Sequence, residues 1–470
     1  MELYILRHGE SEGNILEITQ GPNYNLSLTI KGKLKTNEIA KTLHEKLRGR
    51  VDRIITSPRT RAIQTGKIIA DTFQKKVEID ASLDEYNPGI LEGPKVVANA
   101  TQPKYFSILE RRGDLNGIPG AESGDELQSR VIYFLERYFG SDKDTKEIIV
   151  SHAGFNRCLL NTVNGHPRTK PVNHHHNAIH HIETNPWNLL DIKKFESAKA
   201  SEAFRVKTSD QVYVMKRIYN TYEKKMKFQE STSNHVAKGG ELLSQVLYGG
   251  MKVDHAVQIL KYIPGDHKYD ALSEIETRRV IESVHELGQR LKTVPKEIGS
   301  LCDSNLNDKI KNCVYSISNS PIQKIGRSLL ENERYSYLVA EKNQVLVHYD
   351  FHRSNLVFTP EHDVKILDLG SMLYAPSEFL PASLFMSSFL LQQPDEFKLN
   401  DLISKWPEKL NAKNIKILMQ ARAIIGGAFF QQSISKNPDP EDIELYNKYL
   451  KSLYLIEGLI GEENGSYSHF

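Results

Sequence analysis

Cysteine is scarce in this chain: three occur in 470 residues, Cys158, Cys302 and Cys313, and no two form a CxxC pair. That spacing argues against a disulfide framework and a thiolate zinc site, and it fits a reducing compartment. Long hydrophobic runs are missing as well, because no uninterrupted apolar stretch reaches the ~18 residues that a membrane span requires. The amino terminus has no basic segment leading into an apolar one, so the sequence predicts a cytoplasmic protein with no membrane partner. An excess of charge of one sign is also lacking: 61 Lys plus Arg face 59 Asp plus Glu, a formal charge of +2. This balance speaks against a nucleic-acid partner, and any anion binding has to be local. There is no repeat of fixed period and no low-complexity stretch. The absence of a GxxxxGK[ST] segment excludes a P-loop kinase.

What is present is enough apolar material for packed cores, 39% hydrophobic residues against 26% charged, in a length that predicts two or more domains. Three short apolar runs each end on a polar motif and pass into a helical segment. Leu3–Leu6 leads into Arg7-His8-Gly9-Glu10-Ser11, Arg53–Thr56 into Ser57-Pro58 and the helical stretch Arg59–Phe73, and Glu147–Val150 into Ser151-His152-Ala153-Gly154. Strands alternating with helices predict a mostly parallel sheet covered on both faces, with ligands at the carboxyl ends of the strands. After Asn177 the pattern turns to β-rich segments: Ala178–Glu183, Trp187–Phe195, Glu202–Lys207 and Val212–Ile218. Trp187–Phe195 either closes the first sheet or opens a second, and Asn185-Pro186 is taken as the boundary. Beyond Asn220 the sequence predicts mainly helix to about Pro295, then a strand at Gln344–Val347 and a helical tail from Ala382 to Ile460.

A histidine beside an arginine at a strand end suits phosphoryl chemistry. Imidazole attacks phosphorus, and guanidinium holds two phosphoryl oxygens at once. Arg61 lies near the start of a helix, where backbone N–H groups also favour anions, and His152 offers a further positive donor. The ordered motifs Leu6-Arg7-His8-Gly9-Glu10-Ser11, Ser57-Pro58-Arg59-Thr60-Arg61-Ala62-Ile63-Gln64-Thr65, Leu83-Asp84-Glu85 with Leu91-Glu92-Gly93, Gly120-Ala121-Glu122-Ser123 and Ser151-His152-Ala153-Gly154 resemble the histidine phosphatase superfamily, which contains the cofactor-dependent phosphoglycerate mutases. The resemblance covers about Met1 to Glu183. It implies that His8 is a nucleophile forming a phosphohistidine, that Arg7, Arg61 and His152 stabilise the transferring group, and that Glu85 protonates the leaving oxygen. Asn14 matches an asparagine that touches phosphate, and Ser11 is assigned to substrate with it. No cofactor is implied for this domain, since fixed cations stabilise the transition state without a metal. The run His174-His175-His176 with His180-His181 is read as a polar loop feeding a strand with alternating faces, not as a metal site. Asn177-Ala178 matches a pair the family carries at this strand.

A second constellation follows. His348-Tyr349-Asp350 precedes Asn355 by a catalytic-loop spacing, and Asp368-Leu369-Gly370 comes after a hairpin-like spacer. An aspartate five residues before an asparagine, with another aspartate downstream, sets a base beside oxygen ligands for Mg²⁺. This segment resembles the aminoglycoside phosphotransferase and choline kinase group, whose fold is protein-kinase-like. The resemblance implies that Asp350 accepts the proton of a substrate hydroxyl, that Asn355 and Asp368 hold Mg²⁺, and that His348 braces the loop. It further implies that Lys216, in Val212–Lys216, meets the α/β-phosphates of ATP, with Glu230 as its partner, and that Leu260–Gly265 is the adenine hinge. Two departures stand out: Tyr349 replaces a usual glycine, and the candidate phosphate loop Ser197–Ser201 has no glycine.

The sequence therefore predicts an α/β fold. An N-terminal, mostly parallel sheet flanked by helices (1–186) is followed by a bilobal, protein-kinase-like α+β domain with a helical C-terminal part (187–470). The expected activity is bifunctional, hydrolysis of a phosphomonoester through His8 and ATP- and Mg²⁺-dependent phosphorylation of a small hydroxylated metabolite. The tail is expected to build the acceptor pocket. Three rivals stay open: a phosphomutase in place of the phosphatase, a kinase that acts on proteins, and a degenerate nucleotide-binding scaffold. The missing Ala-Pro-Glu motif weighs against the second.

Overall fold

The computed structural model describes residues 1–105, 116–138, 144–172, 175–183, 191–195, 201–219, 221, 223–237, 242–252, 255–267, 272–302, 304–318, 320–340, 342, 344–351, 355–392 and 396–462. Two compact units emerge, one from Met1–Thr221 with Val246–Tyr262 and the other from Tyr222–Gln245 with Ile263–Phe470. The predicted α/β class is what the chain adopts.

In the first unit, strands β1 (Glu2–Arg7), β2 (Arg53–Thr56), β3 (Val77–Ile79), β4 (Lys146–Ser151) and β5 (Ile179–Glu183) form a sheet of order β3-β2-β4-β1-β5. All neighbours are parallel except β1 and β5. Strand residues alternate between two cores, as the pleat requires. Tyr4, Leu6, Ile54, Ile148 and Val150 pack with helices α1 (Ile30–Lys46) and α2 (Thr60–Phe73), while Leu3, Ile5, Ile55 and Ile149 pack with α3 (Gly124–Leu135) and α4 (Ala153–Val163). Register is what builds a site here: Leu6 lies beside Val150, and Val150 beside Thr56. Three strand ends are thereby brought level, with His8 N–H donating to the Ser151 carbonyl (3.0 Å) and Ser57 N–H to that of Val150 (3.0 Å). The Gly-Ala-Glu-Ser motif ends in the α3 cap, where Ser123 and Glu126 form a reciprocal capping box.

A second, antiparallel sheet has the order β9-β10-β8-β7-β6, from β6 (Asp191–Lys194), β7 (Ser201–Lys207), β8 (Val212–Tyr219), β9 (Val246–Met251) and β10 (His255–Lys261). Asp191–Lys194 thus opens the second sheet, while Ile179–Glu183 closes the first; Asn185-Pro186 and 187–190 lie outside the described residues. The expectation of helix from Asn220 to Pro295 fails over β9 and β10. Ala256, Val257, Ile259 and Leu260 are all buried in a strand flanked on both sides, and a short continuous apolar run has no periodicity to separate it from helix. One face of this sheet joins the α3–α4 core: Val206, Tyr213, Met215, Val257 and Ile259 are fully buried with Val131, Phe134 and Leu159. Buried polar contacts cross the same boundary. Tyr213 donates to Gln128 Oε1 (2.8 Å), and Arg217 pairs with the buried Glu136 (2.7 Å).

The second unit begins with α5 (Glu223–Ala237) and α6 (Glu274–Lys292). Short antiparallel pairs follow, of β11 (Gln344–His348) with β14 (Met372–Pro376) and of β12 (Leu356–Phe358) with β13 (Val364–Ile366). The tail is helical as predicted, with α7 (Phe379–Gln392), α8 (Ala412–Lys436) and α9 (Pro440–Glu462) among its elements. From Ile415 to Ala428 every residue of α8 is buried, as expected of a helix packed on all sides.

Because the second sheet shares a core with α3 and α4, Met215→Ala is expected to destabilise the first sheet as well, by about 2–5 kcal/mol. A urea titration followed by a probe near β2 reads this as a lowered midpoint; an unchanged midpoint would mean that the two sheets unfold independently.

Candidate active site

At the level strand ends of the first unit, the His8 ring is buried and held from two sides. Arg61 Nε donates to His8 Nε2 (3.2 Å), so Nε2 carries the lone pair and Nδ1 the proton, which it donates to the Gly9 carbonyl (2.7 Å). Burial, with Arg61 and Arg7 nearby, holds the His8 pKa well below the ordinary imidazole value. The ring is therefore neutral, with its lone pair on Nε2. His152 lies 5.1 Å away centroid to centroid, its Nε2 bonded to Ser57 Oγ (2.8 Å). It is likewise kept neutral, by burial and then by Arg61 and His8.

Arg61 is 1% exposed. Burial lowers its pKa to about 10 against the opposing pull of Glu85 and Asp84, which leaves it charged. Glu85 has its carboxylate at the amino end of α4, where Oε1 accepts from the N–H groups of Gly154 (3.1 Å), Phe155 (3.3 Å) and Tyr86 (3.1 Å). Burial raises its pKa even so, while those N–H groups, Arg61 and Arg7 oppose the rise. A raised carboxyl is what a general acid needs. Arg7 acts electrostatically on His8, His152 and Glu85, so the five residues assigned to catalysis here share one site. Ser11 and Asn14 sit one turn further on and bond each other: Asn14 Oδ1 accepts from the Ser11 N–H (2.9 Å) and hydroxyl (2.8 Å), and Gln20 donates to Ser11 Oγ (3.0 Å).

Several supporting residues escaped the sequence reading. Arg130 forms a fork with Glu122 (2.8 and 2.7 Å) and donates to the carbonyls of Ser82 (2.9 Å) and Asp84 (2.7 Å), which pins the loop that carries Glu85. Arg59 pairs with Asp84 (Nε to Oδ1, 2.6 Å), and Glu92 gathers the N–H groups of Gly21, Asn23 and Tyr24. Asp84, Glu92 and Glu122 thus hold loops in place. The signal for Arg130 was an arginine on the apolar stripe of α3. In the histidine-rich run, His181 stacks on Tyr4 (4.4 Å) and pairs with Glu2 (3.2 Å). His174 lies outside the described residues, and among the described residues no group of three ligands fits a metal ion.

The second unit brings together His348, Asp350, Asn355 and Asp368. His348 Nδ1 accepts from the Asp350 N–H (3.3 Å), so its Nε2–H donates to the Asp368 carbonyl (2.5 Å), a brace between the two aspartates. Asn355 Nδ2 donates to the Asp350 carbonyl (3.0 Å), which leaves Oδ1 as the atom that could meet a cation, and Asp368 Oδ1 accepts from the Gly370 N–H (2.6 Å). An amide oxygen and a carboxylate suit a hard cation such as Mg²⁺. Arg422 of α8, also missed in the sequence, bonds Asp350 Oδ1 (3.2 Å) and the Tyr349 carbonyl (2.8 Å), with the Tyr349 and Tyr449 rings 5.8 and 5.9 Å from its guanidinium. Tyr349, where glycine was expected, is one wall of that arginine's slot. The helix brings the arginine from about seventy residues away, so no local motif announced it; an arginine inside an apolar run was the available signal.

Lys216 lies on β8 in the first unit, opposite Gln258 and Ala203 in register, and Glu230 on α5 in the second. Burial raises the Glu230 pKa. The hinge segment Leu260–Gly265 leaves β10 and reaches Gly265 at φ +151°, where an added Cβ would meet the Phe358 carbonyl oxygen at 2.5 Å. Ser197–Ala200 and residues 352–354 lie outside the described residues.

The family model described as the histidine phosphatase superfamily (branch 1) matches residues 3–188, and that of the phosphotransferase enzyme family matches residues 191–379. The "Probable phosphoglycerate mutase GpmB" of Proteus mirabilis (strain HI4320) is 31% identical over 169 residues, 36% of this chain and 76% of that protein. The chain belongs to the histidine phosphatase superfamily. Its histidine phosphatase domain is followed by a phosphotransferase domain, and both are enzyme families. The protein of the same name from Escherichia coli O1:K1 / APEC is 29% identical to the histidine phosphatase part, over 36% of this chain and 76% of its own length. Among solved structures, the mycobacterial glucosyl-3-phosphoglycerate phosphatase is 20% identical, covering 44% of this chain and 97% of its own, with a TM-score of 0.35. YhfR of Bacillus stearothermophilus is 22% identical, covering 39% and 90%, with a TM-score of 0.36. Among the described residues no helix is long and apolar enough to cross a membrane.

A Cβ added at Gly154 would lie 2.2 Å from Tyr86 Cδ1 and 2.6 Å from Glu85 Oε1. Gly154→Ala is therefore expected to push Glu85 off its N–H donors and, if Glu85 is the general acid, to lower kcat on a phosphomonoester about 10²-fold, the lower end of general-acid effects. Steady-state kinetics on a phosphomonoester with a poor leaving group would show it; unchanged kcat would free Glu85 from that role.

Proposed function

We propose that the chain is a bifunctional phosphatase and small-molecule kinase, residues 1–186 hydrolysing a phosphomonoester and residues 187–470 phosphorylating a hydroxyl with ATP. The observation that carries the first half is the buried His8 ring, its proton fixed on Nδ1 and its Nε2 lone pair facing Arg61. Nε2 attacks phosphorus, the P–O ester bond breaks, and Glu85 gives its proton to the departing oxygen. Arg7, Arg61 and His152 stabilise the charge on the equatorial oxygens. Water then loses a proton to the Glu85 carboxylate and attacks phosphorus; the P–N bond breaks, orthophosphate leaves, and His8 is restored. Ser11 and Asn14 belong to the substrate side of the site in this reading.

In the second half Asp350 takes the proton of the acceptor hydroxyl while Arg422 and His348 fix its carboxylate and backbone. Asn355 and Asp368 would hold Mg²⁺, which supplies charge neutralisation for the transferring phosphoryl group. Lys216 would bind the α/β-phosphates. The partner is a small phosphorylated or hydroxylated metabolite, and the protein works in the cytoplasm without nucleic acid or membrane. A mutase outcome is the second reading, favoured by the name carried by the relatives above; in it the phosphoryl group on His8 returns to the substrate.

The test is a metabolite extract incubated with the protein, with and without Mg-ATP, and read by mass spectrometry against His8→Ala and Asp350→Asn. Phosphate loss is expected to vanish only in the first variant and phosphate gain only in the second. Gain that never appears would reduce the second domain to a binding module, and isomerisation without loss would favour the mutase.

The pH dependence has a definite sign. His8 titrates well below 6.5 and Glu85 above 4.5, so hydrolysis rises where His8 loses its proton and falls where Glu85 loses its own, with the maximum between the two. Glu85→Gln is expected to remove the falling limb; a limb that survives belongs to another group.

A further inference from the structure

His176 ends the triple-histidine run that the sequence assigns to a polar loop, yet its ring lies 6.0 Å from that of His8, tilted by 43°. The backbone fixes it there. Asn177 takes the left-handed conformation (φ 62°), its N–H donates to the Arg7 carbonyl (3.1 Å), and Thr36 donates to its Oδ1 (3.2 Å). The residue before this turn is thereby tied to the strand end that carries Arg7 and His8. His176 Nε2 is buried without a hydrogen-bond partner, and so are Arg61 Nη1 and His152 Nδ1. Buried polar atoms normally have partners. Here three of them belong to residues that flank or contact one nucleophile. Burial and Arg7 lower the His176 pKa to about 4, so its ring is neutral and can present an N–H without adding charge.

We propose that His176 is a phosphate-binding residue of this site, its Nε2 bonding a non-bridging oxygen of a phosphomonoester held at His8; this rests on the reading of His8 as the nucleophile. The test uses the full chain as wild type, His176→Phe, His176→Gln and His8→Ala, with p-nitrophenyl phosphate kinetics, orthophosphate inhibition and calorimetric titration with orthophosphate. His176→Phe keeps the ring's bulk and removes the donor. It is expected to raise KM and the orthophosphate inhibition constant about tenfold, as loss of one hydrogen bond to a charged group does, with kcat within about threefold of wild type. Gln, whose amide reaches a similar position, is expected to restore most of both. Unchanged constants in His176→Phe overturn the proposal, and so do equal losses in Phe and Gln together with a lowered Tm, which would mark a packing role. If His8→Ala hydrolyses as fast as wild type, the reading of His8 fails and calorimetry decides alone. Weaker orthophosphate binding by His176→Phe then keeps His176 as a phosphate ligand, and equal binding removes it.

Discussion

The bond from Arg61 to His8 sets the terms for the rest of the first unit. A guanidinium almost wholly removed from water needs compensating partners, and an imidazole used as a nucleophile must present one nitrogen bare of its proton. Both needs are met in one contact, because the donor on Arg61 selects the lone pair on Nε2 and the Gly9 carbonyl keeps the proton on Nδ1. The parallel register of β1, β4 and β2 brings the strand ends that carry it level. The outer ties, Arg130 with Glu122, Arg59 with Asp84 and Ser151 Oγ with the Leu83 carbonyl (2.6 Å), stop the loop that bears Glu85 from drifting away.

The second unit solves a related problem with a similar device. His348 is also oriented by a backbone carbonyl, but it serves as a strut: one nitrogen receives the Asp350 N–H and the other reaches the Asp368 carbonyl. The carboxylate of Asp350 is set by Arg422. Burial of that arginine works against its charge, which Tyr449, Asp350 and Tyr349 sustain. The loop and the tail helix α8 thus share one electrostatic element, which ties the geometry of Asp350 to the tail.

Much of this was legible in the sequence, for physical reasons. His8, Arg61 and His152 stand beside strand ends and helix starts, and those positions follow from local pattern, whereas Glu85 was legible only through the family resemblance. Asp350 and Asn355 are five positions apart, and the Asn355 amide reaches the Asp350 carbonyl directly. What stayed hidden depends on long-range packing. Arg130 and Arg422 reach their partners from helices, and nothing near them in sequence names those partners. The strand β10 was read as helix because a segment buried on both faces loses the alternation that marks a strand. His176 was set aside for a different reason: five histidines close together look like a solvated loop until a left-handed turn at Asn177 aims one of them inward.

The core shared by α3, α4 and the second sheet has a bearing on how the chain is made. Val257 and Ile259 belong to the same cluster as Leu159, so the helix that begins at His152 leaves the ribosome before the strands that cover it exist. At ordinary rates of synthesis the missing strands follow roughly a hundred residues later, on the order of 5–20 s. During that interval an apolar flank of the first sheet lacks the last two strands that cover it. The first unit is thus completed only when Val246–Tyr262 have been made, although its other residues are synthesised first.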